Sequence, residues 1–328
     1  MSASRDRQLY GALDLGGTKV RAIVADLEGK VYGEDIRPSE TDRGPDAVFD
    51  RMTETLAAAA SAAAVRIADL GGVGIASPGA IDVNRGVVSE APQLPGWRDV
   101  PLAETMSHRL GLAVSLANDA SAAALGEHRF GAGRGSRHML FLTISTGLGG
   151  GIIIDGELYE GASGSAGELG HVMIDINGPP CGCGARGCLE SLASGTALAR
   201  RGEELAATGR SPLLAQLREQ EGVVTAEAMA RAAEGGDEAA QAAFREMGKY
   251  LGIALASYVN VFNPQLILVG GGVARSAPLF MDEAEAVMRA LAMSEPLKHV
   301  RLDLGALGDR AGSLGMIAHI REGAMRAG

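Results

Sequence analysis

Apolar and polar positions change rhythm along this chain, and the changes mark its elements. From Ala12, "ALDLGGTKVRAIVADLEGKVYGE" runs in short apolar and β-branched stretches, interrupted first by two glycines and then by a polar "LEGK". That pattern predicts strand, tight turn, strand, polar turn, strand. From Phe141, "FLTISTGLGGGIIIDGELYEG" repeats the order, with Ile152–Ile154 answering the Val20–Val24 stretch of the first copy. The offset of about 130 residues points to an internal duplication and two similar α/β lobes. Any two β-meanders share some likeness, so the duplication leans on the chemistry of the two glycine turns.

Helical spacing takes over between the copies. "GPDAVFDRMTETLAAAASAAAVR" predicts a helix, followed by "GGVGIASPGA", a strand running into a Gly/Pro loop. "AVSLANDASAAALGEHRFGAG" predicts a strand ending at Ala117 and a helix capped by Asn118 or Asp119. Asp237–Phe262 predicts a long helix before the strand of "QLILVGGGVA". No low-complexity linker separates these pieces. The expected lobes are residues 1–117 and 118–310, hinged near 116–120, with a C-terminal helix over 311–328 packing back on the first.

Composition narrows the class. Apolar runs fall short of the ~20 residues that span a bilayer, and "MSASRDRQLY" lacks the apolar core of a signal peptide. Both predict a cytoplasmic setting without a membrane partner. A net charge of −10 argues against a nucleic-acid partner, which basic surface would attract. The 47 glycines are roughly twice the usual share of about 7%, and many cluster between apolar runs, where backbone can close on a ligand. The three cysteines all lie within "CGCGARGC", Cys181–Cys188. An odd number in a reducing compartment favours metal ligation over disulfides.

"DLGGTK" places Asp14 at a strand end, Gly16 and Gly17 in a turn, then Thr18 and Lys19. Backbone N–H groups freed by glycine and a threonine hydroxyl suit phosphate oxygens, and Asp14 could hold Mg²⁺ through water. A plain hairpin explains the same glycines. "STGLGGG" offers Thr146 and Gly147 at the matching point of the second copy, and Gly270, Gly271 and Gly272 follow another buried strand. Two such loops can clamp a nucleotide's phosphates, and the third can let a purine lie against backbone. Asn118 and Asp119 suit either a helix cap or a hydroxyl-binding amide beside a general base.

Together "DLGGTK", "SPGAID", "NDASAAALGE", "TISTGLGGG", "GELGH", "CGCGARGCLE" and "LVGGGV" resemble, in order and spacing, the ROK family of sugar kinases. The resemblance spans Asp14 to Val273. It implies an α/β, two-lobed actin/hexokinase-like (ribonuclease H-like) ATPase fold with a cleft between lobes. It implies a structural Zn²⁺ held by His171, Cys181, Cys183 and Cys188, against the alternative of buried free thiols. It assigns sugar contacts to Gly79, Asn118, Asp119, Glu168, His171 and Glu190, with Asp119 as the base. Asp14, Gly16, Gly17, Thr18, Lys19, Thr146, Gly147 and Gly270–Gly272 would hold ATP and Mg²⁺. A homodimer or dimer-based oligomer is also implied.

The function expected is ATP-dependent phosphorylation of a hexose at its primary hydroxyl, glucose first. Ser163 in "GASG" and Gln93 in "PQLPGW" depart from the Asn common in family glucokinases. Kinases of N-acetylglucosamine, N-acetylmannosamine or fructose therefore stay open. The family also contains sugar-responsive repressors, but these carry a DNA-binding helix-turn-helix, and 13 residues precede Asp14 here. Trp97 is left between sugar contact and packing, and His108, His128, His138 and His299 receive no role.

Overall fold

The computed structural model describes residues 8–91 and 93–327. Its strands, in chain order, are β1 Tyr10–Leu15, β2 Lys19–Ala25, β3 Val31–Pro38, β4 Val73–Ser77, β5 Ala80–Asp82, β6 Val87–Glu90 and β7 Arg98–Val100. They continue as β8 Val114–Asn118, β9 Met139–Ile144, β10 Leu148–Ile154, β11 Glu157–Leu158, β12 Leu266–Gly270 and β13 Arg301–Leu304. The α-helices begin with α1 Pro45–Ala62, α2 Leu102–Leu110, α3 Asp119–Phe130, α4 Leu189–Ala193 and α5 Gly195–Ala207. After them come α6 Pro212–Glu221, α7 Ala226–Glu234, α8 Glu238–Phe262, α9 Met281–Leu291, α10 Ser294–Leu297 and α11 Ala311–Ala327. Both strand–turn–strand–turn–strand runs form where the periodicity puts them. Gly328, included in the expected last helix, lies outside the described residues.

Two sheets share one plan. Their orders are β3-β2-β1-β4-β8 and β11-β10-β9-β12-β13, so each reads third, second, first, fourth, fifth strand of its set. In the first sheet β1 and β2 pair antiparallel, as do β2 and β3, while β4 runs parallel to β1 and β8. In the second, β12 runs parallel to both β9 and β13. A small third sheet takes the order β5-β6-β7.

The chain divides into two compact units. The first runs to Ser136 and adds Gly151–Gly167 and everything from Ala306. The second holds Arg137–Gly150 and Glu168–Gly305. These units do not divide at 117/118. The reason is visible in the first unit's two cores. Period-two alternation sends Leu13, Leu15, Val20, Ala22 and Val24 to one face, against Met52 and Leu56 of α1. The opposite face is built of smaller residues, Ala12, Ala25, Ala76 and Ala117, and receives Leu314, Met316 and Ile317 of α11. Helix α3 joins α11 there at close range. A Cβ on Gly126 would lie 2.3 Å from the Ala311 carbonyl, and one on Gly315 would lie 1.7 Å from that of Ala122. Asp119 thus opens a helix of the first unit.

The second unit is organised by α8. Gly248 and Gly252 let it approach α9, since a Cβ at either would sit 2.6 Å from the carbonyl of Phe280 or Ala284 respectively. Phe141, Leu142, Ile267, Leu268 and Val269 are buried in its sheet, as their unbroken apolar runs require for strands covered on both faces.

Candidate active site

In the first unit the acidic groups gather at the end of β1. Asp14 pairs with Arg21 across the β1–β2 ladder. Its carboxylate lies against the first turn of α11, where a Cβ on Gly312 would come within 2.6 Å of Oδ2. Burial, and then the negative Asp119, push its carboxyl up to about 7, despite the opposing pull of Arg21 and Lys19. Arg21 is 8% exposed and pairs with Glu34, with Asp309 at 3.6 Å. Lys19 reaches the same Asp309 at 2.7 Å. Arg21, Asp309 and Gly312 escape a linear reading. Their relation to Asp14 depends on hairpin register and on a helix some 300 positions away in the chain.

The structure gives the capping role in "ND" to one residue. Asn118 is the cap of α3, its Oδ1 accepting from the N–H groups of Ala120 at 3.0 Å and Ser121 at 3.1 Å. Its Nδ2 donates to the Gly79 carbonyl at 3.3 Å. Gly79 has φ +96°, and a Cβ there would sit 2.3 Å from the Glu90 carbonyl, so only glycine fits this support. Asp119, the first residue of α3, accepts from the Ala120 N–H at 2.8 Å. The capping duty falls on its neighbour. Trp97 is buried with its ring edge-on to Phe49 at 5.7 Å, which is packing.

The matching loop of the second unit is built from backbone. Ser145 N–H donates to the Gly147 carbonyl at 2.9 Å, closing the turn around Thr146. Gly195 N–H at the start of α5 donates to Ser145 O at 2.8 Å, and the Thr196 hydroxyl to Thr146 O at 2.8 Å. Gly272 N–H donates to the Ser145 hydroxyl at 3.0 Å. Gly270 and Gly271 have packing reasons to lack side chains: a Cβ would meet the Phe141 ring at 2.7 Å or the Ile144 carbonyl at 2.4 Å. Gly16 and Gly17 sit in the β1–β2 turn, where Gly16 N–H donates to Lys19 O at 2.9 Å. Thr18 is exposed.

His171, Cys181, Cys183 and Cys188 converge, their ligand-type atoms all within 4.8 Å of one another. Cys183 and Cys188 sulfurs are 3.7 Å apart, and His171 Nδ1 is 3.6 Å from Cys181 Sγ. Burial pushes the Cys181 thiol up to about 12. Glu168 and His171 flank a single 3₁₀ turn, Leu169–His171, with His171 Nε2 3.8 Å from Glu168 Oε2. Nδ1 therefore faces the thiols and Nε2 faces the carboxylate. Glu190 lies between this cluster and the glycine loop, with Oε1 3.7 Å from Cys181 Sγ and Oε2 accepting the Leu148 N–H at 3.0 Å. Tyr258, which the sequence did not single out, is buried and donates its hydroxyl to Leu169 O.

Known proteins resemble this chain over most of its length. The ROK family model matches residues 10–322. Thermotoga maritima glucokinase is 35% identical over 310 residues, covering 94% of this chain and 96% of that protein. The xylose repressor of Bacillus subtilis is 31% identical, over 93% of this chain and 74% of its own length. Among solved structures, a ROK family glucokinase from Streptomyces griseus, in complex with glucose and AMPPNP, superposes with a TM-score of 0.84 at 35% identity, covering 96% and 99% of the two chains. The fold is that of the actin/hexokinase-like sugar kinases, and the chain belongs to the ROK family.

Proposed function

We propose that this chain is a glucokinase, transferring the γ-phosphoryl group of ATP to the 6-hydroxyl of glucose. The observation that carries the reading is Asp119: it stands at the head of α3 while Asn118 does the capping, and after burial its charge is the next cause that raises Asp14. Similarity to glucokinases over nearly the whole chain supports the same reaction.

Asp119 accepts the proton of the sugar hydroxyl as its oxygen bonds to phosphorus and the bond to the ADP oxygen breaks. Phosphoryl transfer asks mainly for positioning and charge neutralisation. Asn118 orients the sugar beside the base through the amide hydrogen not given to Gly79. Glu168, the Nε2 side of His171 and Glu190 bind the other hydroxyls. Asp14 would hold Mg²⁺, which neutralises phosphate charge when bound. Its proton must leave first, because burial favours the neutral acid.

The four-residue cluster fits Zn²⁺. A tetrahedral ion with bonds of about 2.3 Å to sulfur and 2.0–2.1 Å to nitrogen spaces its ligands ~3.5–3.8 Å apart. The observed 3.7 Å and 3.6 Å separations match those edges. Four protein ligands would close the shell, and the ion would then fix the loop and the His171 ring. Ser163 and Gln93 are exposed, and no apolar shelf for an N-acetyl methyl is evident in the sequence around them.

A hexose panel with ATP and Mg²⁺ tests the assignment. Glucose is expected to exceed N-acetylglucosamine in kcat/KM by at least ~10-fold, a margin of about 1.4 kcal/mol. An N-acetylhexosamine in front would overturn glucose as substrate, and no phosphorylation of any hexose would overturn the kinase.

A further inference from the structure

Three parts of the second unit meet at Leu148. Its N–H donates to Glu190 Oε2 at 3.0 Å. Its carbonyl lies against the Glu168–His171 turn so tightly that a Cβ on Gly170 would fall 1.9 Å away. That turn cannot easily retreat, because the buried Tyr258 hydroxyl holds the Leu169 carbonyl from behind. The residue before Leu148 is also shaped by Glu190: a Cβ on Gly147 would be 2.5 Å from Oε2.

The peptide between Gly147 and Leu148 is therefore pinned at both ends. Its N–H goes to Glu190, and its carbonyl accepts from Ser145 N–H at 2.9 Å. A peptide next to glycine flips cheaply, since glycine tolerates both signs of φ. A flip would exchange donor and acceptor on a loop meant to face phosphates. A charged acceptor is the strongest available brake on that flip.

We infer that Glu190 is a positioning residue for the phosphate loop. It sets the Gly147–Leu148 peptide, and through Leu148 it makes that loop's shape answer to the sugar turn and the thiol cluster. This rests on reading Ser145–Gly151 as a phosphate loop. It assigns Glu190 a duty beyond contacting the sugar. A carboxylate that served the sugar alone would have no effect on nucleotide binding when sugar is absent.

The experiment is calorimetric titration of the purified, metal-loaded protein with Mg²⁺·AMPPNP in the absence of sugar. Zinc content and melting temperature are recorded for each variant. Glu190→Ala should weaken nucleotide binding by about tenfold, the size of one hydrogen bond to a charged group. Glu190→Gln, whose carbonyl oxygen can still accept the Leu148 N–H, should stay within about threefold of wild type while glucose affinity falls in both. Should Glu190→Ala come out short of zinc, Glu190→Asp carries the test, because it keeps the charge but retracts the oxygens from Leu148, and the same loss is expected. Sugar-free nucleotide affinity within about twofold of wild type in the metal-replete Ala or Asp variant overturns the inference. That result leaves the glucokinase reading intact, whereas a wild-type protein unable to phosphorylate any hexose removes that reading and not this one.

Discussion

Asp14 and Glu190 are both carboxylates beside a glycine turn, one in each unit, and their surroundings differ in kind. Asp14 sits among charges: Asp119 and Asp309 oppose its ionisation, Arg21 and Lys19 favour it, and burial outweighs each of them. Gly312 leaves it just enough room. Glu190 instead meets a backbone N–H and a thiol of the metal-type cluster. The first unit keeps a carboxylate whose protonation answers to burial and to neighbouring charges. The second holds its loop by fixed hydrogen bonds. A charge-balanced site is sensitive to pH and to single charges, while a backbone-built one is sensitive to geometry and metal.

The largest expected break of that contrast is Asp119→Asn. It keeps size and hydrogen bonding but removes the proposed base, so kcat should fall by ~10²–10⁴ with glucose binding largely retained. Turnover within about threefold of wild type in a folded variant would reduce Asp119 to an ordinary first-turn residue of α3.

Next comes the metal. Elemental analysis should find about one zinc per chain, and Cys183→Ala should lose it together with ~5–15 °C of melting temperature. A strong chelator should mimic the variant. Active, stable, metal-free protein would falsify the zinc assignment, and with it the idea that the second unit depends on geometry imposed by a metal.

The smallest effect concerns pH and belongs to the first unit alone. Asp14 is raised from 3.8 to about 7 in the folded chain. Between those values the unfolded state has released this proton while the folded state still binds it, so stability falls as pH rises through that window. Above about 7 both states are ionised and the cost is constant. Asp14→Asn cannot ionise and lacks this slope. Urea unfolding without Mg²⁺ or nucleotide, from pH 4.5 to 7.5, should show wild type losing ground to Asp14→Asn by up to ~1.4 kcal/mol per pH unit. Parallel profiles would mean that Asp14 is not desolvated in solution.

Much of this protein was determined by local sequence. Alternation from Ala12 and again from Phe141 was enough to place two meanders, and the repeated order returned as two sheets of the same plan. The thiol cluster was legible because eight residues of glycine-rich loop cannot hold three cysteines far apart, and His171 lay close by in the chain. These features depend on contacts between near neighbours, which spacing encodes directly.

Tertiary structure decided the rest. Asn118 and Asp119 are equal as caps in isolation; the chain path after β8 and the carbonyl of Gly79 chose Asn118. The division expected at 117/118 moved because the small faces of α3 and α11 fit each other, through Gly126 and Gly315. Arg21 facing Asp14 required the β1–β2 register. Gly312 against Asp14, and Tyr258 behind Leu169, join segments far apart along the chain. Sequence pattern reports the period of burial but not its partner, and each of these residues takes its role from a partner.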